Sequence, residues 1–173
     1  MMIAIEQLTT EQAEAALPDL AELLQDSVAS GASIGFLPPL GNDEARDYWA
    51  SAIEDLACGA LVLLVARQGD TVVGTVQLAL AQRPNARHRA EVQKLLVHTR
   101  ARRRGIGLAL LDAADGAARQ AGRTLLVLDT RAGDPSEQLY LKHGYTRAGV
   151  IPQYARSANG ELHATAIFYK LLR

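Results

Sequence analysis

Arginines and glycines are concentrated in the stretch VHTRARRRGIGLALLDAA, residues 97–114, directly before apolar residues at helical spacing. The unpaired N–H groups and partial positive charge of a helix start favour an anion there. Gly105 and Gly107 let a bulky group approach the backbone. Three consecutive arginines add charge and fork-shaped donors: Arg102, Arg103 and Arg104. The chemistry that this spacing favours is the binding of a diphosphate.

Two common diphosphate motifs do not fit this loop. The Walker pattern requires Gly-Lys-Ser/Thr at its end, which is absent, and the dinucleotide fingerprint requires Gly or Ala where Leu110 stands. A solvated basic loop with its glycines in a tight turn is one alternative interpretation. A nucleic-acid surface is another, but no aromatic residues interleave with the arginines and the net charge is only -1.

Two carboxylates stand among apolar strand residues, where an acid is costly to bury without a purpose or a partner. Glu91 precedes the segment KLLV, and Asp129 ends the segment LLVLD. Both are candidates to bind a substrate and accept a proton. The alternative is structural: Glu91 would pair with Arg89 or Lys94, and Asp129 would cap a loop turn.

The pattern along the chain predicts the order β-α-α-β-β-β-α-β-α-β-β. The first helix has a Thr cap and a break or new start at Pro18, and residues 42–59 are expected to hold a helix capped by Asn42 or Asp43 and ended by Gly59. In DPSEQLYLKHG, residues 134–144, we expect Asp134 as cap, Pro135 as first helical residue and a glycine terminator. GD and NG turns are typical of hairpins, and the strand–arginine loop–helix–strand portion predicts a parallel unit.

Length and composition predict one α+β domain spanning residues 1–173. We find no signal-peptide pattern and no apolar run that would span a membrane, so we expect a soluble protein of the cytoplasm with no membrane partner. The single cysteine, Cys58, excludes an internal disulfide, and the histidines lie on separate elements without metal-ligand spacing. We therefore predict no metal.

The pattern Arg-x-x-Gly-x-Gly at residues 102–107 follows a strand ending KLLVHT, and LYLKHGY comes about thirty residues later. This combination resembles the acyl-coenzyme A pyrophosphate loop of the GCN5-related N-acetyltransferases. Longer segments resemble the tabtoxin-resistance type of these enzymes: GASIGF (31–36), VQLALAQRPNARHRAEVQKLLV (76–97), LDTRAG (128–133) and IPQYARSANGELHATAIFYK (151–170).

The resemblance implies a single mixed, mostly antiparallel, splayed sheet of about seven strands with about four helices. It implies acetyl-CoA as cosubstrate and a small amine acceptor that is amino-acid-like or β-lactam toxin-like. A homodimer is also implied, with the C-terminal strands as candidate contact. The expected cofactor-binding residues, beside the three arginines, are Leu95, Leu96, Val97, Gly105, Ile106, Gly107 and Leu108.

The resemblance also assigns chemical roles. The backbone of residues 95–97 would polarise the acetyl carbonyl, and Tyr140 would protonate the leaving thiolate. From their own positions, we expect Glu91 and Asp129 to bind the substrate and take the amine proton, directly or through water. The alternative for Tyr140 is a space-filling buried tyrosine. Because Cys58 has no neighbouring base, we expect direct transfer and not an acyl-cysteine.

The Gly-rich loop 31–36, with Tyr48 and Trp49, is expected to shape the acceptor side and to close as a lid. The alternative is a structural loop that packs Ile34 and Phe36 on the sheet edge. A non-catalytic acyl-CoA-binding regulatory protein is the alternative function. It is disfavoured because Glu91, Asp129 and Tyr140 are all present.

Overall fold

The sheet consists of strands β1 (Ile3–Gln7), β2 (Leu61–Gln68), β3 (Thr71–Leu80), β4 (Arg89–Val97), β5 (Leu125–Arg131), β6 (Thr146–Arg156) and β7 (Leu162–Leu171). The computed structural model describes residues 2–173. In it the seven strands lie in the order β1-β2-β3-β4-β5-β7-β6. Every neighbouring pair is antiparallel except β4 with β5. The mixed, mostly antiparallel sheet predicted from the sequence is confirmed.

Five α-helices accompany the sheet in the described part of the chain, where the sequence predicted about four: α1 (Thr10–Ala15), α2 (Leu17–Ala29), α3 (Asn42–Ala57), α4 (Ile106–Gln120) and α5 (Ser136–Lys142). The additional helix arises because α1 ends at Ala15 and Pro18 lies in the first turn of α2, where the N–H that proline lacks is not needed. No helix within residues 2–173 has the length and apolar character needed to cross a membrane.

Local capping explains where these helices begin. Thr9 caps α1 through a complete capping box with Gln12, as its sequence position predicted. The predicted caps of α3 are wrong: Gly41 is the N-cap, so Asn42 and Asp43 are already helical and no side chain caps this helix. The two acids of its first turn, Asp43 and Glu44, instead complement the helix dipole.

The predicted start of α5 is also displaced by one residue. Pro135 is the N-cap and the helix begins at Ser136, so the side chain of Asp134 does not cap it. Asp134 contributes its carbonyl, which accepts the N–H of Glu137 at 3.1 Å. The Glu137 carboxylate accepts the N–H of Gly133 at 2.6 Å and so closes the turn before the helix. The glycine terminator is confirmed by the left-handed Gly144, with φ of 88°.

Alternation along the strands divides the core between the two faces of the sheet. Within β2, Leu64 packs in the cluster that contains α4 residues such as Leu110, while Leu63 packs in the cluster that contains Leu20 and Trp49. Helices α1, α2 and α3 thus cover one face and α4 the other. Both faces of β2 and β3 are buried, which explains their nearly continuous apolar sequences.

Gly74 of β3 marks the closest approach of α4 to the sheet. A Cβ atom at this position would lie 3.1 Å from Leu110 Cδ1, 3.1 Å from the Leu96 carbonyl oxygen and 3.2 Å from Ile106 Cγ2. Because one of these atoms belongs to the backbone of β4, the neighbours cannot simply rotate away. Gly74 therefore sets the distance between β4 and the beginning of α4.

We predict that Gly74→Ala lowers the free energy of unfolding by about 1–3 kcal/mol, the usual cost of overpacking a core. The matched control is Gly116→Ala within α4, where a Cβ would meet no atom within 4 Å. That change should stabilise the protein by about 1 kcal/mol through helix propensity. Urea unfolding of both variants measures the difference, and an unchanged or increased stability of Gly74→Ala would contradict the packing described.

Candidate functional site

Strands β4 and β5 pair over only three residues each and then separate. Their parallel register joins Arg89–Glu91 with Leu125–Val127, whereas β4 continues to Val97 and β5 to Arg131. Beyond this point β4 remains paired with β3 on its other side. The β5-facing edge of β4 therefore opens into a V-shaped gap, where backbone groups are available to a ligand with amide-like chemistry.

A β-bulge in β4 lies at the opening of this gap. Thr75 pairs with Leu96 and Gln77 pairs with Gln93. Two residues of β4, Lys94 and Leu95, therefore stand opposite one residue of β3, Val76. Lys94 has a φ of 48°, a left-handed conformation that is uncommon for a residue with a side chain. Its carbonyl accepts the Thr75 hydroxyl at 2.9 Å. The bulge bends β4 and changes the direction of its side chains, a common device beside binding sites.

The beginning of α4 provides a second set of free backbone groups. Gly105 is its N-cap in the left-handed conformation, with φ of 77°, and no side chain caps the helix. The N–H groups of the first turn have no partner within the helix. A Cβ at Gly107 would meet Leu139 Cδ2 at 3.3 Å, so the glycine also allows α5 to approach. The result is a cradle of N–H donors with a partial positive charge, suited to an anion.

The three arginines of the loop have different surroundings. Arg102 donates from Nε to the Val97 carbonyl at 2.9 Å and from Nη2 to Ser30 Oγ at 2.8 Å, so it joins the loop to β4 and to the end of α2. Arg104 donates to the Arg100 carbonyl at 3.3 Å. Arg103, exposed and with φ of 61°, makes no hydrogen bond to the described residues. Its guanidinium is free for a ligand.

A cleft of about 1180 Å³ joins the gap and the cradle. Every residue that the sequence predicted for catalysis or cofactor binding lines it, with the exception of Arg104. The predicted residues that line it are Glu91, Leu95, Leu96, Val97, Arg102, Arg103, Gly105, Ile106, Gly107, Leu108, Asp129 and Tyr140. The structure thus brings together residues from β4, β5, α4 and α5.

The two candidate bases have different environments within the cleft. Glu91 is half-buried and forms no ion pair within 4.0 Å among the described residues, so the alternative of a salt bridge to Arg89 or Lys94 does not hold. Asp129 is exposed and accepts the Thr165 hydroxyl at 3.1 Å from β7, so it does not cap a loop turn. Both carboxylates are open to the cleft.

Lys94 is a cleft residue that the sequence interpretation assigned no role beyond pairing. Burial lowers the pKa of its ammonium, while the Asp129 and Glu91 carboxylates act in the opposite direction. Its Nζ lies 5.2 Å from the centre of the Tyr48 ring. Tyr48 in turn donates to Gln77 Oε1 at 3.0 Å, and burial raises the pKa of its hydroxyl to about 12. Lys94 thus lies close to an aromatic ring and interacts electrostatically with two acids.

Tyr140 lies at the end of α5 beside the gap. Burial raises the pKa of its hydroxyl to about 12, and the nearby Asp129 carboxylate adds to the increase. The ring packs edge-on against Tyr145, with centroids 5.7 Å apart. Tyr140 therefore fills space in the core and also lines the cleft as a neutral hydroxyl, which at neutral pH can donate a proton.

The loop of residues 31–36 packs against the core and also lines the cleft. Ile34 and Phe36 contact the core cluster, and Phe36 meets the Tyr48 ring edge-on at 5.4 Å, so the structural interpretation of these side chains holds. Residues 31–35 form one wall of the cleft. Trp49, expected to shape the acceptor side, is fully buried and does not line the cleft.

The sequence profile of the Acetyltransferase (GNAT) family matches residues 21–145, more than half of the chain, so this protein belongs to that family. Among solved structures, it is similar to a GNAT superfamily phosphinothricin acetyltransferase from Sinorhizobium meliloti in complex with AcCoA, with a TM-score of 0.82, 20% identity and coverage of 99% of this chain and 89% of that chain.

Two further structures have the same fold. An N-acetyltransferase from Staphylococcus aureus Mu50 has a TM-score of 0.83 at 19% identity, with full coverage of both chains (100% each). A ribosomal-protein-alanine N-acetyltransferase from Brucella melitensis has a TM-score of 0.80 at 23% identity, covering 98% of this chain and 99% of that chain. At these identities the similarity establishes the fold, while the acceptor must be inferred from this chain's own residues.

Proposed function

We propose that this protein is an acetyl-CoA-dependent N-acetyltransferase that transfers the acetyl group directly to the amine of a small amino-acid-like or β-lactam toxin-like acceptor. The observation that carries the proposal is the single cleft in which the splayed β4 edge, the free N–H groups of α4, two carboxylates and a neutral tyrosine meet. The sequence resemblance to tabtoxin-resistance type acetyltransferases supports the choice of a small acceptor.

The residues present fit acetyl-CoA. The N–H groups at 105–108 and the free Arg103 side chain would hold the pyrophosphate. The gap edge of β4 would pair with the amides of the pantetheine arm, as an added strand would. Acetyl-CoA supplies an activated acetyl thioester. A backbone N–H among residues 95–97 would stabilise the negative charge that develops on its carbonyl oxygen.

The acceptor amine is protonated at neutral pH and must lose a proton before it attacks the carbonyl. Glu91 and Asp129 would bind the ammonium form and accept this proton, directly or through water. The Lys94 ammonium, buried between these acids and the Tyr48 ring, limits the negative charge there. When one acid takes a proton, the Lys94 ammonium then balances the negative charge of the other acid.

The CoA thiolate leaves as the new amide forms, and Tyr140 would donate the proton that it needs. The pKa of about 12 keeps this hydroxyl protonated at neutral pH. Cys58 is exposed at the end of α3 and does not line the cleft, and its thiol donates to the Asp55 carbonyl at 3.3 Å, so direct transfer is favoured over an acyl-cysteine.

Acetyl-CoA and free CoA should raise the melting temperature of the protein, whereas ATP should not. A ligand at about 100 times its dissociation constant stabilises the folded state by roughly 2.7 kcal/mol, a shift of roughly 5–10 °C for a chain of this size. ATP offers phosphates without a pantetheine arm, so it tests the strand edge separately from the cradle. If neither acetyl-CoA nor CoA raised the melting temperature at a saturating concentration, the proposal that this protein is an acetyltransferase would lose its main support.

Glu91→Gln and Asp129→Asn test the proposed bases. At least one of them should lower kcat/KM by roughly 10²-fold or more because a general base is lost. Thiol release from acetyl-CoA, followed from pH 6 to 9, measures the effect. Glu44→Gln, at an exposed acid in the first turn of α3, is the matched control and should retain full activity. Near-normal turnover of both cleft variants across this range would show that neither residue is the base.

Tyr140→Phe should lower turnover by roughly 10²-fold while acetyl-CoA affinity changes little. A tyrosine donates its proton only below its pKa, which for Tyr140 is about 12. At any pH lower than about 10, ionisation of this group should therefore cause no loss of wild-type turnover. Tyr145→Phe is the matched control. The buried Tyr145 hydroxyl has no hydrogen-bond partner among residues 2–173, so its removal should leave turnover and acetyl-CoA affinity unchanged. A Tyr140→Phe enzyme with unchanged turnover would exclude this tyrosine as the acid.

A further inference from the structure

Arg131 ends β5 two residues after Asp129. Side chains alternate along a strand, so both residues belong to the same face of β5, and two residues advance the chain by about 6.6 Å. Thr130, between them, faces the other way and lies 2.7 Å from Ser136 of α5 through its hydroxyl. A cation is therefore placed beside a candidate base at a spacing that suits one small molecule.

The guanidinium of Arg131 has only one polar partner within residues 2–173. Its Nη2 donates to Ser157 Oγ at 2.7 Å. Its Nε is enclosed and has no hydrogen-bond partner, and no carboxylate of the described residues lies within 4.0 Å. A guanidinium is always charged and presents five donors, so a partly buried one without a counter-charge has unused capacity for an anion. This arrangement favours the arrival of an anion.

A second cavity, of about 550 Å³, adjoins the cleft at Arg131. It lies between the loop of residues 31–38 and the turn that joins β6 to β7. Arg131, Ala155 and His163 line both the cavity and the cleft, as do four residues of the loop. A molecule with its amine at Asp129 could therefore extend past Arg131 into this cavity without leaving the protein.

The remaining charges of this cavity leave it positive. Arg156 donates to the Gly160 carbonyl at 2.8 Å, and the carboxylate of Glu161 accepts the side-chain amide of Asn159 at 2.9 Å. Two arginines thus stand against one acid among the lining residues. Val28 and Phe36 add apolar surface to the same cavity. The walls suit a molecule with an anionic group and a short apolar portion.

We propose that Arg131 selects the acceptor by binding its anionic group, a carboxylate or a similar oxyanion, while the acceptor amine lies between Glu91 and Asp129. This inference rests on the proposed function and narrows it. The substrate class becomes zwitterionic amino acids and their close analogues, and simple monoamines and polyamines are disfavoured. The adjoining cavity receives the remainder of the molecule.

The test uses the full chain and two matched panels of acceptors, the L-amino acids and their primary carboxamides. Each pair differs in one negative charge, and thiol release from acetyl-CoA gives kcat and KM. The wild-type protein should use an acid over its amide by about 10- to 100-fold in kcat/KM, the effect expected of a charge-assisted hydrogen bond. Arg131→Gln should remove this preference by raising KM for the acid, so that the acid and its amide have similar kcat/KM. Arg131→Lys should retain part of it, because it keeps the charge and loses the fork.

Binding is also measured without turnover, by calorimetry with N-acetylglycine and N-acetylglycinamide, on the protein alone and with CoA. The acid should bind about 10- to 100-fold more tightly than the amide to the wild type. The difference should vanish in Arg131→Gln. The matched control is Arg119→Gln, at an exposed arginine in the last turn of α4, which should behave like the wild type.

Equal affinity for the two probes, or binding of neither, would overturn the role of Arg131. The same conclusion follows if Arg131→Gln lowers turnover with acids and amides alike. It also follows if the variant lowers both the melting temperature and the affinity for CoA, since Arg131 would then be structural. A preference for the acid that depends on Arg131, in a protein that neither binds CoA nor releases thiol, would support the anion site and refute the proposed acetyl transfer. The two proposals therefore fail separately.

Discussion

The separation of β4 from β5 beyond Glu91 and Val127 is the constraint on which the remainder of the site depends. A continuous sheet would satisfy every backbone group of these strands and leave none for a ligand. The bulge at Lys94 and Leu95 keeps β4 paired with β3 while it turns from β5. Gly74 lets the start of α4 pack closely on β3, the partner of β4, and the cradle of N–H groups and the free strand edge share one cleft.

The distribution of charge follows from that opening. Two acids from opposite sides of the gap lie near Lys94, whose ammonium is 5.2 Å from the centre of the Tyr48 ring, while Arg131 stands further along β5 with no acid partner within residues 2–173. The cleft thus has an acidic portion between β4 and β5, a cationic cradle at α4 and a second cation, Arg131, further along β5. A substrate with one charge of each sign complements both groups at once, whereas a simple amine complements only the first.

Much of this fold can be predicted from the sequence because the signals for its helix starts and turns are local. The capping box at Thr9, the GD and NG turns and the glycine cradle at 105–107 each depend on residues within a few positions. The bulge at Lys94 carries no such signal, since it results from the register between two strands and not from a residue that prefers a positive φ. Arg131 carries no local signal either, because its significance depends on having no acid partner within residues 2–173, which follows from the packing of β6 and β7. The prediction of Asp134 as a cap is wrong because the turn before α5 is closed by Glu137, whose carboxylate accepts the N–H of Gly133.

A crystal structure of the protein with acetyl-CoA tests the central claim most directly. The account predicts the pyrophosphate on the N–H groups of residues 105–108 and the pantetheine arm along the free edge of β4. It also predicts the thioester carbonyl within hydrogen-bond distance of a backbone N–H among residues 95–97, with the sulfur beside Tyr140. A cofactor bound outside the gap, or a gap closed by pairing of β4 with β5 along their length, would contradict it.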